Sequence, residues 1–129
     1  MSAIEGDPKR LGQVFDNLIS NAIKYAPGTE VWVRINLDDR EALIEVSDQG
    51  PGIPNRYITH LFERFFRNPD VAPSVHGSGL GLFICKKIIQ AHHGSVTVTS
   101  VVNQGTTFHI RLPIKNEKTG ISGVLREEI

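Results

Sequence analysis

Asp7-Pro8-Lys9-Arg10-Leu11-Gly12-Gln13-Val14-Phe15-Asp16-Asn17-Leu18-Ile19-Ser20-Asn21-Ala22-Ile23-Lys24-Tyr25 is the stretch on which the reading of this chain turns. Asp7 is an N-cap residue, and Pro8 suits the first helical position, where a backbone N–H has no partner to lose. Leu11, Val14, Phe15, Leu18, Ile19, Ala22 and Ile23 then recur at helical spacing until Pro27-Gly28 stops the run. The spacing predicts an amphipathic helix. At roughly 100° per residue, Asn17, Asn21 and Lys24 fall within about 60° of one another. A polar stripe therefore runs beside the apolar one. An amide oxygen can coordinate a hard cation, a second amide can serve the same ion or a phosphate, and an ammonium meets phosphate as a point charge. A solvated helix face has the same pattern, so the choice falls to the segments that follow.

Downstream, Val31, Val33, Ile35 and Leu37 alternate with Trp32, Arg34 and Asn36; after Asp38-Asp39-Arg40-Glu41 the alternation resumes at Ala42, Ile44 and Val46. This predicts an antiparallel hairpin. Asp48 continues the apolar face of its second strand, so its carboxylate points toward the core side and needs a partner. In Asp48-Gln49-Gly50-Pro51-Gly52 the glycines allow close approach of backbone and ligand, and an exocyclic purine amine is a fitting donor to the carboxylate. An ordinary turn at a strand end reads similarly. A short helix is predicted over 57–66 and a Pro, Gly, Asn and Ser-rich loop over 68–79. A second amphipathic helix follows over 80–92, ending at Gly94. Two strands, 95–102 and 106–112, flank the turn Asn103-Gln104-Gly105, and 115–129 reads as a tail with one short helix.

Gly77-Ser78-Gly79-Leu80-Gly81 stands immediately before the second helix. Glycine amides and a helix N-terminus together suit an anion. The spacing is neither the dinucleotide fingerprint, since its third glycine falls one position early, nor a Walker loop, which needs Gly-Lys followed by Ser or Thr. Gly105 lets the last hairpin turn, and Thr106 shares a strand face with Phe108 and Ile110. Four separated boxes with groups for a purine, a magnesium ion and a triphosphate describe a nucleotide-binding module.

Bulk composition sets the limits. With 129 residues, 40% hydrophobic and 22% charged, the chain reads as one soluble domain able to build a core. Lys+Arg and Asp+Glu balance at 14 each, which offers no whole-chain attraction to nucleic acid or an anionic membrane. One cysteine, Cys85, excludes an internal disulfide, and no signal-peptide pattern or long apolar run is present. A cytoplasmic location is expected, including as the cytoplasmic part of a membrane-bound sensor.

These boxes resemble those of the GHKL ATPase superfamily with its Bergerat ATP-binding fold, and in detail the catalytic, ATP-binding domain of a sensor histidine kinase. The resemblance runs from about Gly6 to Pro113. Asp7 to Tyr25 resembles the N box, Asp48 to Pro54 the first glycine box, and Leu61-Phe62-Glu63-Arg64-Phe65-Phe66-Arg67 the F box. Gly77 to Leu82 resembles the second glycine box and Gly105-Thr106-Thr107-Phe108 the last. The F box discriminates, because gyrase, Hsp90 and MutL share the first boxes without it.

The resemblance implies an α+β fold: a two-layer sandwich with a mixed, mainly antiparallel sheet covered on one face by helices, residues 1–114 forming the ATP-binding domain and 115–129 the tail. It implies that Asn17 coordinates magnesium, that Asn21 and Lys24 attend the phosphates, and that Tyr25 stacks near the adenine. Asp48 would bind the adenine amine, directly and through water, and Gly50, Gly52, Ile53 and Thr106 would also be nucleotide-binding. Gly77, Ser78, Gly79, Leu80, Gly81 and Leu82 would cradle the phosphates below a lid over 67–76. The arginine that engages the γ-phosphate most resembles Arg67, with Arg64 second. ATP and Mg2+ are the implied cofactors. The implied partners are a histidine-bearing dimerisation domain and, downstream, a response regulator; no direct membrane contact by this domain is expected.

Some features depart from the family pattern. His60, His76, His92, His93 and His109 do not resemble the phosphoacceptor motif, and Gln49 stands where asparagine is more usual. The family's opening strand and helix precede the N box and are not found here, which predicts a sheet one edge strand short. The leading expectation is γ-phosphate transfer from Mg-ATP to a histidine on a separate domain, with the domain alone nearly inactive. The alternative is a nucleotide-sensing or partner-docking module of the same fold without phosphotransfer. A serine kinase of the anti-sigma-factor type is disfavoured by the run from Phe62 to Arg67.

Overall fold

Asp7 caps the first helix as its sequence predicts: one carboxylate oxygen accepts the N–H of Lys9 at 3.0 Å and of Arg10 at 3.3 Å. In the computed structural model, which describes residues 2–69, 81–116 and 124–126, this helix, α1, spans Pro8–Tyr25. It buries Leu11, Val14, Leu18 and Ala22 along one stripe. Strand β1 (Ser2–Glu5) precedes it. After it come β2 (Trp32–Leu37), β3 (Glu41–Asp48), a short helix α2 (Asn55–Ile58) and α3 (Gly81–Ala91). The chain continues through β4 (Ser95–Val101), β5 (Gly105–Pro113), β6 (Lys115–Asn116) and β7 (Val124–Arg126).

The main sheet has the order β2-β3-β5-β4, with α1 and α3 on one face. This is the expected two-layer α+β arrangement, and every strand pairing among the described residues is antiparallel. Register explains the core. Ala42, Ile44 and Val46 lie opposite Leu112, Ile110 and Phe108, and the last two lie opposite Val96 and Val98. With a side-chain period of two, all of them face one side, where Val14, Leu18, Cys85 and Ile89 of the helices meet them fully buried.

The two helices run in opposite senses and are tied at one end. His92 accepts the Asp7 N–H on Nε2 at 2.9 Å, so Nδ1 carries the proton and donates to the Ile88 carbonyl at 2.7 Å. The end of α3 closes with Gly94 N–H on the Ile89 carbonyl and His93 N–H on that of Gln90, both at 3.0 Å, and with His93 left-handed at φ 63°. Cys85 Sγ lies 3.8 Å from the Val14 carbonyl, and burial pushes its thiol up to about 11.

Three features differ from expectation. First, β2 alternates as a half-buried strand should, and Val33, Ile35 and Leu37 pair with Val46, Ile44 and Ala42 on the core-facing side. They are nevertheless 49%, 61% and 44% exposed, because the helices pack over β3 and β4 and stop short of this edge. Second, the helix predicted over 57–66 is only α2, and turns follow it. Third, the described parts of the tail are strands rather than a helix: β6 and β7 flank β1 in a small sheet of order β6-β1-β7. Strands of two and three residues are too short to display a period, and their partner lies at the other end of the chain.

Ile110→Ala, at the centre of the core, is expected to lower stability by about 3 kcal/mol in urea unfolding, whereas Ile35→Ala on the open edge costs less than about 1 kcal/mol. Cys85 gives a pH signature. The folded thiol ionises near 11 and an ordinary one near 9.0, so only the unfolded chain gains from ionisation between those values. This contribution to stability is complete below about pH 9 and is lost as pH rises toward 11. Cys85→Ala should show a shallower alkaline decline in a urea series across that window.

Candidate nucleotide-binding site

One step along the sheet converts an apolar floor into a polar one. The row Val46, Phe108, Val98 is followed on the same face by Asp48, Thr106 and Ser100, paired across β3, β5 and β4. Asp48 then begins a turn. Its Oδ1 accepts the Gly50 N–H at 2.9 Å, the Pro51 carbonyl accepts the Asn103 N–H at 2.7 Å, and the Ile53 N–H donates to Ser100 Oγ at 2.7 Å. Glycine is needed at two positions. Gly52 has φ +74° and a Cβ there would run into the Val101 carbonyl; Gly105 has φ +112° and its Cβ would meet the Asp48 carbonyl. The turn is thus pressed backbone to backbone against the β4–β5 hairpin.

Above this floor is a cavity of about 250 Å3. Asn17, Asn21, Lys24 and Tyr25 of α1 line it, as do Asp48, Gly52, Ile53 and Thr106, Arg67, and Gly81 and Leu82 at the start of α3. A Cβ at Gly81 would approach Asn17 Oδ1 to 3.3 Å, so the glycine lets α3 begin against the amide. Gly50 does not line the cavity; its N–H donates to Asp48 Oδ1. Gly77, Ser78, Gly79, Leu80 and the stretch 70–76, including His76, lie outside the described residues.

Among the lining residues the charged ones are Asp48, Lys24 and Arg67. A ligand that suits this set offers hydrogen-bond donors to Asp48 and negative charge to the two cations. Burial pushes the Tyr25 phenol up, and its ring lies 6.0 Å from Lys24 Nζ.

The F box separates its two arginines. Arg64 lies over the Phe83 ring at 4.9 Å and does not line the cavity, whereas Arg67 does. Between them Phe65 adopts φ 65° and is 61% exposed. A left-handed bulky residue is a backbone outlier; here it turns the chain so that Phe66 and Arg67 reach the cavity. Phe66 is backed by Tyr57 and His60 with centroids at 6.1 and 5.9 Å, and Phe62 packs edge-on against Phe108 at 6.2 Å.

Sequence reasoning missed Ser20, Ala22, Pro51, Leu61, Phe66, Asn68 and Phe108 as lining residues. Ser20 was within reach of the helical stripe, standing three residues from Asn17. Phe108 follows Thr106 by two on one strand and so shares its face. Phe66 and Asn68 flank Arg67 and line the cavity with it, but nothing local to the sequence says that three consecutive residues all reach it.

With the geometry in place, the class follows. The chain belongs to the histidine kinase-, DNA gyrase B- and HSP90-like ATPase family, whose pattern matches residues 6–116. Within it the similarity is to sensor kinases. The chain is 40% identical over 119 residues to sensor histidine kinase WalK of Bacillus subtilis (strain 168), covering 89% of this chain and 20% of WalK. It is 42% identical over 110 residues to sensor protein SrrB of Staphylococcus aureus (strain NCTC 8325 / PS 47), covering 83% of this chain and 19% of SrrB. The chain therefore spans about a fifth of the length of these curated relatives. Among solved structures, the mycobacterial sensor histidine kinase MprB superposes with TM-score 0.76 at 39% identity, over 85% of this chain and 76% of that one. Full-length ShkA in complex with AMPPNP gives TM-score 0.73 at 29% identity, over 83% of this chain and 22% of that one.

Gly52→Ala is expected to destabilise the protein by roughly 2 kcal/mol or more, since a methyl must displace backbone at an already left-handed residue. Urea unfolding measures the cost, and nucleotide affinity measured on the folded fraction should fall at least about tenfold.

Proposed function

We propose that this chain binds Mg-ATP in the cavity between α1, α3 and the turn at 48–53, and serves as the catalytic half of a sensor histidine kinase. The observation that carries the reading is convergence: residues from five separate segments, each of a type suited to one part of a nucleotide, line one cavity. The AMPPNP complex of the relative ShkA supports it. Asp48 would accept from the purine amine and Tyr25 would flank the base. Asn21, Lys24 and Gly81-Leu82 would hold the phosphates, with Gly77 to Leu80 completing the cradle.

Among the described residues no group of three or more His, Cys, Asp or Glu could hold a metal. A magnesium ion therefore fits only as one that arrives with phosphates and waters and takes the Asn17 amide oxygen. Bound there it would neutralise phosphate charge. Lys24 adds a fixed positive charge, and Arg67 would reach the γ-phosphate, supported over Arg64 by its place in the cavity lining. Phosphoryl transfer depends mostly on such positioning and charge neutralisation. The acceptor would be a histidine on a separate dimerisation domain, with a response regulator downstream and residues 1–114 as the ATP-binding unit. No helix among the described residues is long and apolar enough to cross a membrane, and a cytoplasmic place is proposed.

The test is calorimetric titration of Mg-ATP into the wild type and Asp48→Ala, with circular dichroism confirming that both are folded. Binding by the wild type, weakened at least about a hundredfold in the variant, is expected; a folded wild type that binds nothing at millimolar nucleotide contradicts the proposal. Labelled ATP with a histidine-bearing domain then separates the kinase from a module that only senses nucleotide. Label on histidine, reduced at least about tenfold by Arg67→Ala, is the kinase outcome.

A further inference from the structure

Ser100 lies beside Thr106 on the same sheet face without itself lining the cavity, and it has three polar neighbours. The Ile53 N–H is 2.7 Å from its Oγ, the Gly105 carbonyl 2.9 Å and Thr106 Oγ1 2.9 Å. A serine hydroxyl has one proton and two lone pairs. Ile53 N–H can only donate and the Gly105 carbonyl can only accept, so the serine proton goes to Gly105 and one lone pair to Ile53. The remaining lone pair takes the proton of Thr106. All three contacts are then satisfied, in keeping with the absence of unpartnered buried side-chain polar atoms among the described residues.

The consequence falls on Thr106, which is buried and lines the cavity. Its only proton is committed to Ser100, so its hydroxyl meets a ligand with lone pairs alone. Asp48 stands directly across the strand pair, its carboxylate likewise an acceptor, with Oδ1 held by Gly50 N–H. From these bonds we infer that Ser100 is a positioning residue of the base subsite: by orienting the Thr106 hydroxyl it makes the subsite select a purine bearing an exocyclic amine over one bearing a carbonyl. This rests on the nucleotide-site reading above. An amine supplies protons to both acceptors, whereas a carbonyl sets lone pairs against lone pairs, the kind of mismatch by which polar sites discriminate most strongly.

The experiment measures dissociation constants of Mg-ATP and Mg-ITP, in which the C6 amine and N1 lone pair of adenine are replaced by a C6 carbonyl and an N1–H, on the full chain and its variants. In Ser100→Ala the Thr106 hydroxyl is released to donate, and the ratio Kd(ITP)/Kd(ATP) is expected to fall about tenfold. Ser100→Thr, which keeps a hydroxyl, should restore the wild-type ratio. Thr106→Val lowers the ratio without depending on how Ser100→Ala folds, and the double variant should match Thr106→Val alone, because Ser100 acts through Thr106. A merely structural role for Ser100 predicts that both nucleotides weaken equally at constant ratio, and that result overturns the inference. So does a Thr106→Val variant that loses ITP more than ATP. Failure of the wild type to bind ATP at all would instead strike the nucleotide-site reading.

Discussion

Backbone packed directly on backbone, where the turn after β3 meets the β4–β5 hairpin, is the constraint on which the site depends. Gly52 passes the Val101 carbonyl and Gly105 passes the Asp48 carbonyl with no room for a side chain at either crossing. The bonds from Asn103 N–H to Pro51 and from Ile53 N–H to Ser100 then fix the register of the contact. Each bond is worth only about 1 kcal/mol net, so their effect is chiefly positional. They settle where the carboxylate of Asp48 leaves the sheet and which way Thr106 faces. No neighbouring side chain can replace this, because the contact surface is main chain on both sides.

The first helix joins that floor to the core. Val14 and Leu18 are wholly buried against the sheet, while Asn17, Asn21 and Lys24 line the cavity from the adjacent stripe. Rotating the helix by one residue would swing both stripes by about 100°, burying amides and exposing leucine. Apolar packing therefore sets the aim of the polar groups. The His92 bond to the Asp7 N–H holds the helix's entry, and Gly81 lets the opposite end of α3 lie close to Asn17. Core stability and site geometry are properties of the same contacts.

What was legible in the sequence was local and periodic. The helical stripe of α1, the alternation that carries Asp48 onto the core side of β3, and the capping pair Asp7-Pro8 are all set by neighbours a few residues apart. What was not legible depends on distant chain. Val33, Ile35 and Leu37 carry the pattern of a covered strand, yet whether a helix lies above them is decided by the length and placement of α1 and α3. The pairing of β6 and β7 with β1 joins opposite ends of the sequence, so short strands there looked like tail. Arg64 and Arg67 stand three residues apart in one motif, and only the left-handed turn at Phe65 and the nearby Phe83 ring send one inward and hold the other outside. Ser100 reads as one polar residue on a strand; its importance appears only once Ile53, Gly105 and Thr106 are seen around it.

The most direct measurement is an amide chemical-shift map of isotopically labelled protein titrated with Mg-ATP. A site built as described here predicts saturable shifts concentrated at Asn21, Gly50, Gly52, Ile53, Gly81 and Thr106, with the open edge from Trp32 to Leu37 unmoved. Saturable shifts centred on that edge, or on the small sheet around β1, with the cavity residues silent, would contradict it.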